Sequence, residues 1–426
     1  DDRPLAAAVL DTFEKTRAHA DPEGFLEEVR KSLMDGGSPA DTAHGQLLLD
    51  QARMAAQYGL AFLHHALELL HEDETLEAAY APAITSDVKQ AETLLAAIDA
   101  NDWDKAVELA QDLHFDRLGT IRGYEDKDFQ EEIKGLREEW KTVAGEIKGK
   151  LLCVTTEQAA YDRALVRPAL GALIDTVEQF AEAFAAEKRR RSLADFNDLE
   201  HFAVRLLYEN GKPSMLADRL AASFCEILVD EYQDTNGVQD AIFSAIARDN
   251  LFMVGDVKQS IYGFRLADPY IFLNKYQSFT DEPTEGQGRR VVLSKNFRSR
   301  AQVLDTVNYI FRAVMSERVG DLDYTDREAL YVGADYPEQT PGIDDTEVWL
   351  LDTADDESGE DKALLEARMA ACRIRELIDS GFSVTDRGSD STRPLRASDV
   401  VILMRSPKAR AATYRAALAE YGLAAQ

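Results

Sequence analysis

Past Leu193 the sequence alternates short, fully apolar runs with segments of helical period, and that alternation limits the folds open to it. "EILVDE" (226–231), "NLFMVGD" (250–256) and "RRVVLSKN" (289–296) read as buried strands, each ending in polar residues. "TEVWLLD" (346–352) and "SDVVILMRS" (398–406) have the same form. Strand, loop, helix, strand is the order of an α/β domain built on a parallel sheet. In such sheets the ligand sits beyond the carboxyl ends of the strands. The polar residues of interest fall there.

Residues 1–191 read as helical. Leu60, Leu63, Leu67 and Leu70 recur at helical spacing, as do Leu173, Ile174, Val177, Phe180, Ala181 and Phe184. Lys188 to Arg191 suit a helix C-terminus, and Pro168 is expected to start or kink that helix. The His64-His65 pair lies in a helical pattern, where a surface or core histidine is the ordinary reading. A helical packing domain without chemistry is expected here. "DTADDESGEDK" (352–362) and "DRGSDSTRPLRASD" (386–399) read as exposed loops.

With 426 residues the chain is expected to hold two or three domains. Its formal charge of −30 argues against a protein that coats nucleic acid through a uniformly basic surface, so a DNA role would need a locally basic groove. Cys153, Cys225 and Cys372 are too scattered for a disulfide framework or a CxxC metal site, which fits a reducing cytoplasm. No apolar run approaches the roughly 20 residues of a membrane helix. "DDRPLAAAVLDTFEK" has neither the basic nor the apolar region of a signal peptide and lacks an initiator Met, so processing or an origin inside a longer protein is expected.

Three blocks carry the chemistry. In "EILVDEYQDTNGVQD" (226–240) a strand runs into Asp230 and Glu231. One acid there suits Mg²⁺ on nucleotide phosphates, and its neighbour suits activation of water. The bland alternative is a helix cap. In "LFMVGDVKQSIYGFRLADPYIF" (251–272), Gln259 suits sensing of a phosphate or water. Tyr262 and Phe264, flanked by Lys258 and Arg265, suit stacked bases and a nucleic-acid backbone, against the alternative that both rings are core. In "VVLSKNFRSRAQVLDTVNYIF" (291–311), Phe297 suits a purine ring and Arg298 a γ-phosphate, against the alternative of surface arginines in a helix-entry loop.

In this order the blocks resemble the UvrD/Rep-like helicase superfamily. "VDEYQDTN" is similar to its Walker B block, "VGDVKQSIYGFR" to its third motif and "LSKNFRS" to its fourth. "SLADFNDLEHFAVRLL" (192–207) resembles the segment re-entering the first motor domain after its helical insertion. "SDVVILMRS" and "YRAALAEYGL" resemble a strand and helix of the second motor domain. "GDVKQSIYGFRLADPYIF" and "LEHFAVRLL" look most like the AddA-type helicase–nuclease subunits of bacterial AddAB complexes. The motif-bearing likeness spans about 192–426, and the helical part fits by position.

The resemblance implies RecA-like motor pieces of P-loop NTPase type with an all-helical accessory domain. Residues 1–191 would be that accessory insertion, 192–290 the later part of the first motor domain, and 291–426 the beginning of the second. Asp230 would bind Mg²⁺, Glu231 would be the catalytic base, and Gln233 and Asp234 would couple nucleotide state to the domain cleft. Gln259 would meet the γ-phosphate region and link it to DNA. Arg298 would be the arginine finger and Phe297 would stack near adenine, where relatives often carry Tyr. Tyr262, Phe264, Arg265 and Phe196 would contact DNA. The resemblance also implies ATP, single- and double-stranded DNA and an AddB-like protein as partners of a cytoplasmic enzyme. That enzyme would serve double-strand-break repair and homologous recombination. No G-x-x-x-x-G-K-[ST] occurs, and "ENGKPS" (209–214) is not a match. The expectation is therefore an internal fragment that binds ATP weakly if at all and does not hydrolyse it. UvrD/PcrA-type, RecB-like and non-catalytic scaffold readings stay open at this point.

Overall fold

The computed structural model describes residues 2–34, 37–284, 286–336, 345–352, 361–385 and 391–425. It divides into two units, Asp1–Ser278 and Phe279–Gln426.

The first unit opens with helices α1 (Arg3–Thr16), α2 (Pro22–Ser32), α3 (Ala43–Leu70), α4 (Glu74–Asp99), α5 (Trp103–Gln111), α6 (Lys127–Glu146) and α7 (Thr156–Arg191). Their starts are fixed locally. Thr42, Asp73, Asp102, Asp126 and Thr155 each accept a first-turn amide, satisfying donors that have no partner inside the helix. The expected stripe holds: Leu60, Leu63 and Leu70 are buried and Leu67 is half-buried, packed with Leu76, Ile84 and Trp140. Helix α3 approaches α6 closely at Gly59, where a Cβ would lie 2.2 Å from the Trp140 ring. Inside this core Arg137 Nε donates to Asp87 Oδ2 at 2.6 Å, and its Nη2 donates to the Asp116 carbonyl at 2.8 Å.

Pro168 does not start α7. It lies inside the helix, which begins at a capping box between Thr155 and Gln158. The box supplies the start signal, and the proline removes one intrahelical donor from a long helix. Ile174 and Val177 are buried against Val9 and Leu26, which ties α1, α2 and α7 together.

After α7 come α8 (Phe196–Leu207), a hairpin of β1 (Tyr208–Glu209) and β2 (Lys212–Pro213), α9 (Met215–Ala221), β3 (Ile227–Val229), α10 (Gly237–Ile246), β4 (Leu251–Met253) and α11 (Pro269–Ser278). Strands β3 and β4 pair in parallel, Leu228 opposite Phe252, with α10 as the crossover. The expectation of strands buried on both faces is corrected here. Ile227, Val229, Leu251 and Met253 are half-buried, but Leu228 is 69% and Phe252 59% exposed. Parallel strands are covered on both faces only when further elements pack on them, and the described residues cover one face.

In the second unit, β5 (Lys295–Asn296) pairs in parallel with β6 (Tyr331–Val332), with α12 (Ala301–Val314) and α13 (Glu317–Gly320) between them. Then come α14 (Lys362–Asp379), antiparallel β7 (Ser383–Thr385) and β8 (Thr392–Pro394), and α15 (Pro407–Glu420). The strand expected over 289–296 is thus only Lys295–Asn296. Segments 346–352 and 398–406 join no ladder among the described residues. The latter keeps a strand's alternation, Ile402 and Met404 packing on the α14–α15 core while Val401 and Leu403 face out. Side-chain alternation is local, whereas a strand needs a hydrogen-bonding neighbour. Of the two expected loops, 353–360 and 386–390 lie outside the described residues, and Thr392–Pro394 is the strand β8.

Candidate functional site

Strand β3 ends at Val229, and the chain reverses at Glu231, whose φ of 51° and ψ of 44° are left-handed. For a non-glycine residue this costs about 1–2 kcal/mol, so the surroundings must hold it. Neither acid caps α10 with its side chain. Asn236 caps α10, and the Glu231 side chain caps nothing. Asp230 Oδ1 instead accepts the Glu231 amide at 3.0 Å, and Glu231 Oε2 accepts Gln233 Nε2 at 2.7 Å. Both carboxylates remain exposed at the strand tip.

Gln233 is buried and works in both directions. Its Oε1 accepts the amide of Asp256, just beyond β4, at 3.0 Å. The two strand ends are thereby cross-linked by one side chain. Gly255 makes the room, since a Cβ there would lie 2.6 Å from Gln233 Oε1 and 3.0 Å from the Phe272 ring. Tyr232, also buried, donates to Asp240 Oδ1 at 2.6 Å, and Lys275 Nζ of α11 lies 3.1 Å from the same oxygen. Burial, together with Asp240, raises the pKa of the Tyr232 hydroxyl. Burial and the Glu231 charge raise that of Asp234, whose Oδ1 is buried without a hydrogen-bond partner among the described residues.

Asp256 gathers the next turn. It accepts the Lys258 amide at 3.1 Å and Gln259 Nε2 at 3.0 Å, and Lys258 Nζ lies 2.8 Å away. Burial pushes the Asp256 carboxyl up, but the Lys258 and Gln259 contacts outweigh it and its pKa is lowered. Asp230, Glu231, Gln233, Asp256 and Gln259 thus form one hydrogen-bonded group across two strand ends. The place of Asp256 in it was missed from sequence, although an Asp two residues before a Lys at a strand end is a turn-capping signal.

The loop beyond Gln259 carries the aromatic pair. The Tyr262 and Phe264 ring centroids are 5.8 Å apart, and the Arg265 guanidinium lies 5.3 Å and 5.6 Å from them. Phe264 is 77% exposed, so the alternative that both rings are core does not hold. The loop is fastened to the turn after β3 at both ends. Ser260 Oγ reaches the Gln233 carbonyl at 3.5 Å, and the Asp268 amide donates to the Thr235 carbonyl at 3.0 Å. Phe196, also in the first unit, is the first residue of α8 and is 87% exposed.

Phe297 and Arg298 stand in the second unit, just past β5. Asn296 Oδ1 accepts the amides of Arg298 and Ser299, each at 2.9 Å, which fixes the loop ahead of α12. The exposed Phe297 ring leans on Gly333, where a Cβ would lie 2.9 Å from it. Arg298 is exposed, and its guanidinium has no partner among the described residues. The "ENGKPS" segment is the β1–β2 hairpin, with Asn210 and Gly211 both at positive φ in its two-residue turn. It is therefore not a phosphate-binding loop leading into a helix.

A family model for the UvrD/REP helicase N-terminal domain matches residues 58–280, from within α3 into the segment after α11. The chain belongs to the UvrD/REP helicase family. Within this helicase family, proteins named as ATP-dependent helicase/nuclease subunits from Bacillus anthracis, Bacillus cereus (strain ATCC 10987) and Bacillus thuringiensis (strain Al Hakam) are each 36% identical to this chain over 95% of its length. The chain spans 34% of the length of these relatives.

The residues at the UvrD/REP strand tip suit part of a nucleotide–metal site. No three His, Cys, Asp or Glu side chains gather as a metal cage among the described residues. Mg²⁺ needs no such cage, because one or two carboxylates plus phosphates and water hold it, and Asp230 provides one exposed carboxylate. No helix among the described residues is long and apolar enough to cross a membrane.

Proposed function

We propose that this chain is part of a longer ATP-dependent 3′→5′ DNA helicase–exonuclease of AddA type. It would act with an AddB-like partner in cytoplasmic double-strand-break repair and homologous recombination. The observation that carries the proposal is the bridge through Gln233 and Asp256. It joins the acids at one strand end to Gln259, and the same turn anchors the Tyr262–Phe264 loop. A change at a bound phosphate thereby has a short mechanical route to a surface suited to bases.

In this reading Asp230 would hold Mg²⁺, which would supply charge neutralisation at the nucleotide phosphates. Glu231 accepts the proton of the attacking water, and its Gln233 hydrogen bond fixes the carboxylate. Gln259 senses the γ-phosphate region, and Asp234 couples nucleotide state to the domain cleft. Phe297 would stack on adenine and Arg298 would stabilise the transferring phosphoryl group. Tyr262, Phe264, Arg265 and Phe196 contact single-stranded DNA. Residues 1–191 form an accessory helical domain, 192–290 a part of the first RecA-like domain and 291–426 a part of the second. This sequence holds no G-x-x-x-x-G-K-[ST] phosphate loop.

The test is ATP-driven unwinding and degradation of a 3′-tailed duplex by the longer polypeptide with its AddB-like partner. The proposal expects both, and expects unwinding to require ATP. A polypeptide that binds DNA but hydrolyses no ATP would favour a scaffold instead.

A further inference from the structure

Two cations and two carboxylates from three helices meet where α7 gives way to α8. Lys188, in the last turn of α7, places Nζ 2.8 Å from Asp195 Oδ2 and 2.7 Å from the Asp198 carboxylate. Arg17, just past α1, reaches Asp198 Oδ1 at 3.1 Å and Asp195 Oδ1 at 3.7 Å. The two acids also accept each other's backbone amides, at 2.8 Å and 3.0 Å, as the capping box of α8. The Arg17 and Ala18 carbonyls are bonded in turn, to the His201 ring at 3.0 Å and to the Val238 amide at 3.2 Å. Lys188, Arg17 and Asp198 have little solvent exposure, so this is not a loose surface pair.

The cluster's placement is the informative part. Asp195 is the N-cap of α8, and Phe196 is the next residue. Ser192, left-handed at φ 53°, turns the chain between the two helices. A ring exposed to this extent gains nothing from burial, yet its backbone is held by charged contacts to two other helices.

We propose that Lys188, Asp195, Asp198 and Arg17 are positioning residues for Phe196. They fix the first turn of α8 against α1 and α7, and so hold the ring in one place for stacking on a base of single-stranded DNA. This rests on the reading of Phe196 as a DNA contact. The helical part of the chain is then a support that aims a contact residue of the motor part.

The test is a double-variant cycle on the 426-residue chain. Binding to an oligothymidine carrying one 2-aminopurine is measured at low salt, reading both affinity and the fluorescence change on stacking. Phe196→Ala is expected to weaken binding by about fivefold or more and to reduce the fluorescence change. Lys188→Met is expected to weaken binding several-fold in the parent, to add nothing in the Phe196→Ala background, and to be rescued by Lys188→Arg. Asp195→Asn keeps a competent cap while removing its charge, so it repeats the test if Lys188→Met fails to fold. Equal losses from Lys188→Met in both backgrounds would show a general structural strut and overturn the positioning role alone. An unaffected parent affinity after Lys188→Met would do the same. Unchanged binding by Phe196→Ala, or no binding by the parent chain, would overturn the DNA-contact reading and the proposal with it.

Discussion

Gln233 donates to Glu231 Oε2 at 2.7 Å from a side chain that is itself buried and anchored on the Asp256 amide. The Glu231 carboxylate is therefore oriented from beneath. An exposed acid at a strand tip would otherwise sample several rotamers.

Gly255 is the space that this arrangement needs. Gly255→Ala is expected to displace Gln233 or Phe272 and to destabilise the first unit by about 1–3 kcal/mol, as overpacking does. Urea unfolding measures it. A midpoint equal to the parent's would show that Gln233 has another seat.

The Asp87–Arg137 pair is expected to behave as a buried ion pair. Burial raises the Asp87 pKa, partly offset by the Arg137 hydrogen bond and charge. Arg137→Met strands that carboxylate and is expected to cost about 3–5 kcal/mol, while Asp87→Leu combined with Arg137→Met recovers most of it. Denaturation of the two variants separates these outcomes. Equal losses would place the cost in packing rather than in an unpaired charge.

Asp198 gives a pH signature. Burial pushes its carboxyl up, but hydrogen bonds from Lys188, the Asp195 amide and Arg17 outweigh this and bring it down to about 2. A carboxyl lowered on folding stabilises above its unfolded pKa and loses that contribution as pH falls through the folded value. The contribution is expected to be complete above about pH 5 and to fade toward pH 2, amounting to about 1–2 kcal/mol after solvent screening. Asp198→Asn should flatten that part of the stability–pH curve. Identical acid limbs for variant and parent would refute it.

Tyr262 and Phe264 are expected to act through stacking. Replacing either by Ala should weaken single-stranded DNA binding by about 1–3 kcal/mol with the salt dependence nearly unchanged. Arg265→Ala should instead lower the salt slope by about one unit. Titrations at several salt concentrations distinguish the two. A changed slope in Phe264→Ala would mean that the loop had moved.

Much of this layout is local and so was legible in the sequence. Ile227–Val229 and Leu251–Met253 are strands because short apolar runs flanked by turn residues leave few alternatives, and this placed Asp230 and Glu231 at one strand end and Gln259 in the turn beyond the other. Helix α3 showed in its leucine spacing. What escaped depended on distant partners. Asp198 meets Arg17 across 181 positions of sequence, and nothing near either residue announces the other. The segments 346–352 and 398–406 have strand composition but lack a ladder neighbour among the described residues. From sequence Pro168 is open to two readings, a helix start or a kink, and the Thr155 capping box rules out the first.

The central claim is that Glu231 is the general base of an ATP-hydrolysing site held by Gln233. The most direct measurement is ATP turnover and nucleotide affinity of the longer polypeptide carrying Glu231→Gln. The account predicts turnover reduced by at least about a hundredfold, as loss of a general base does, with nucleotide affinity retained. Turnover at the parent rate would contradict it.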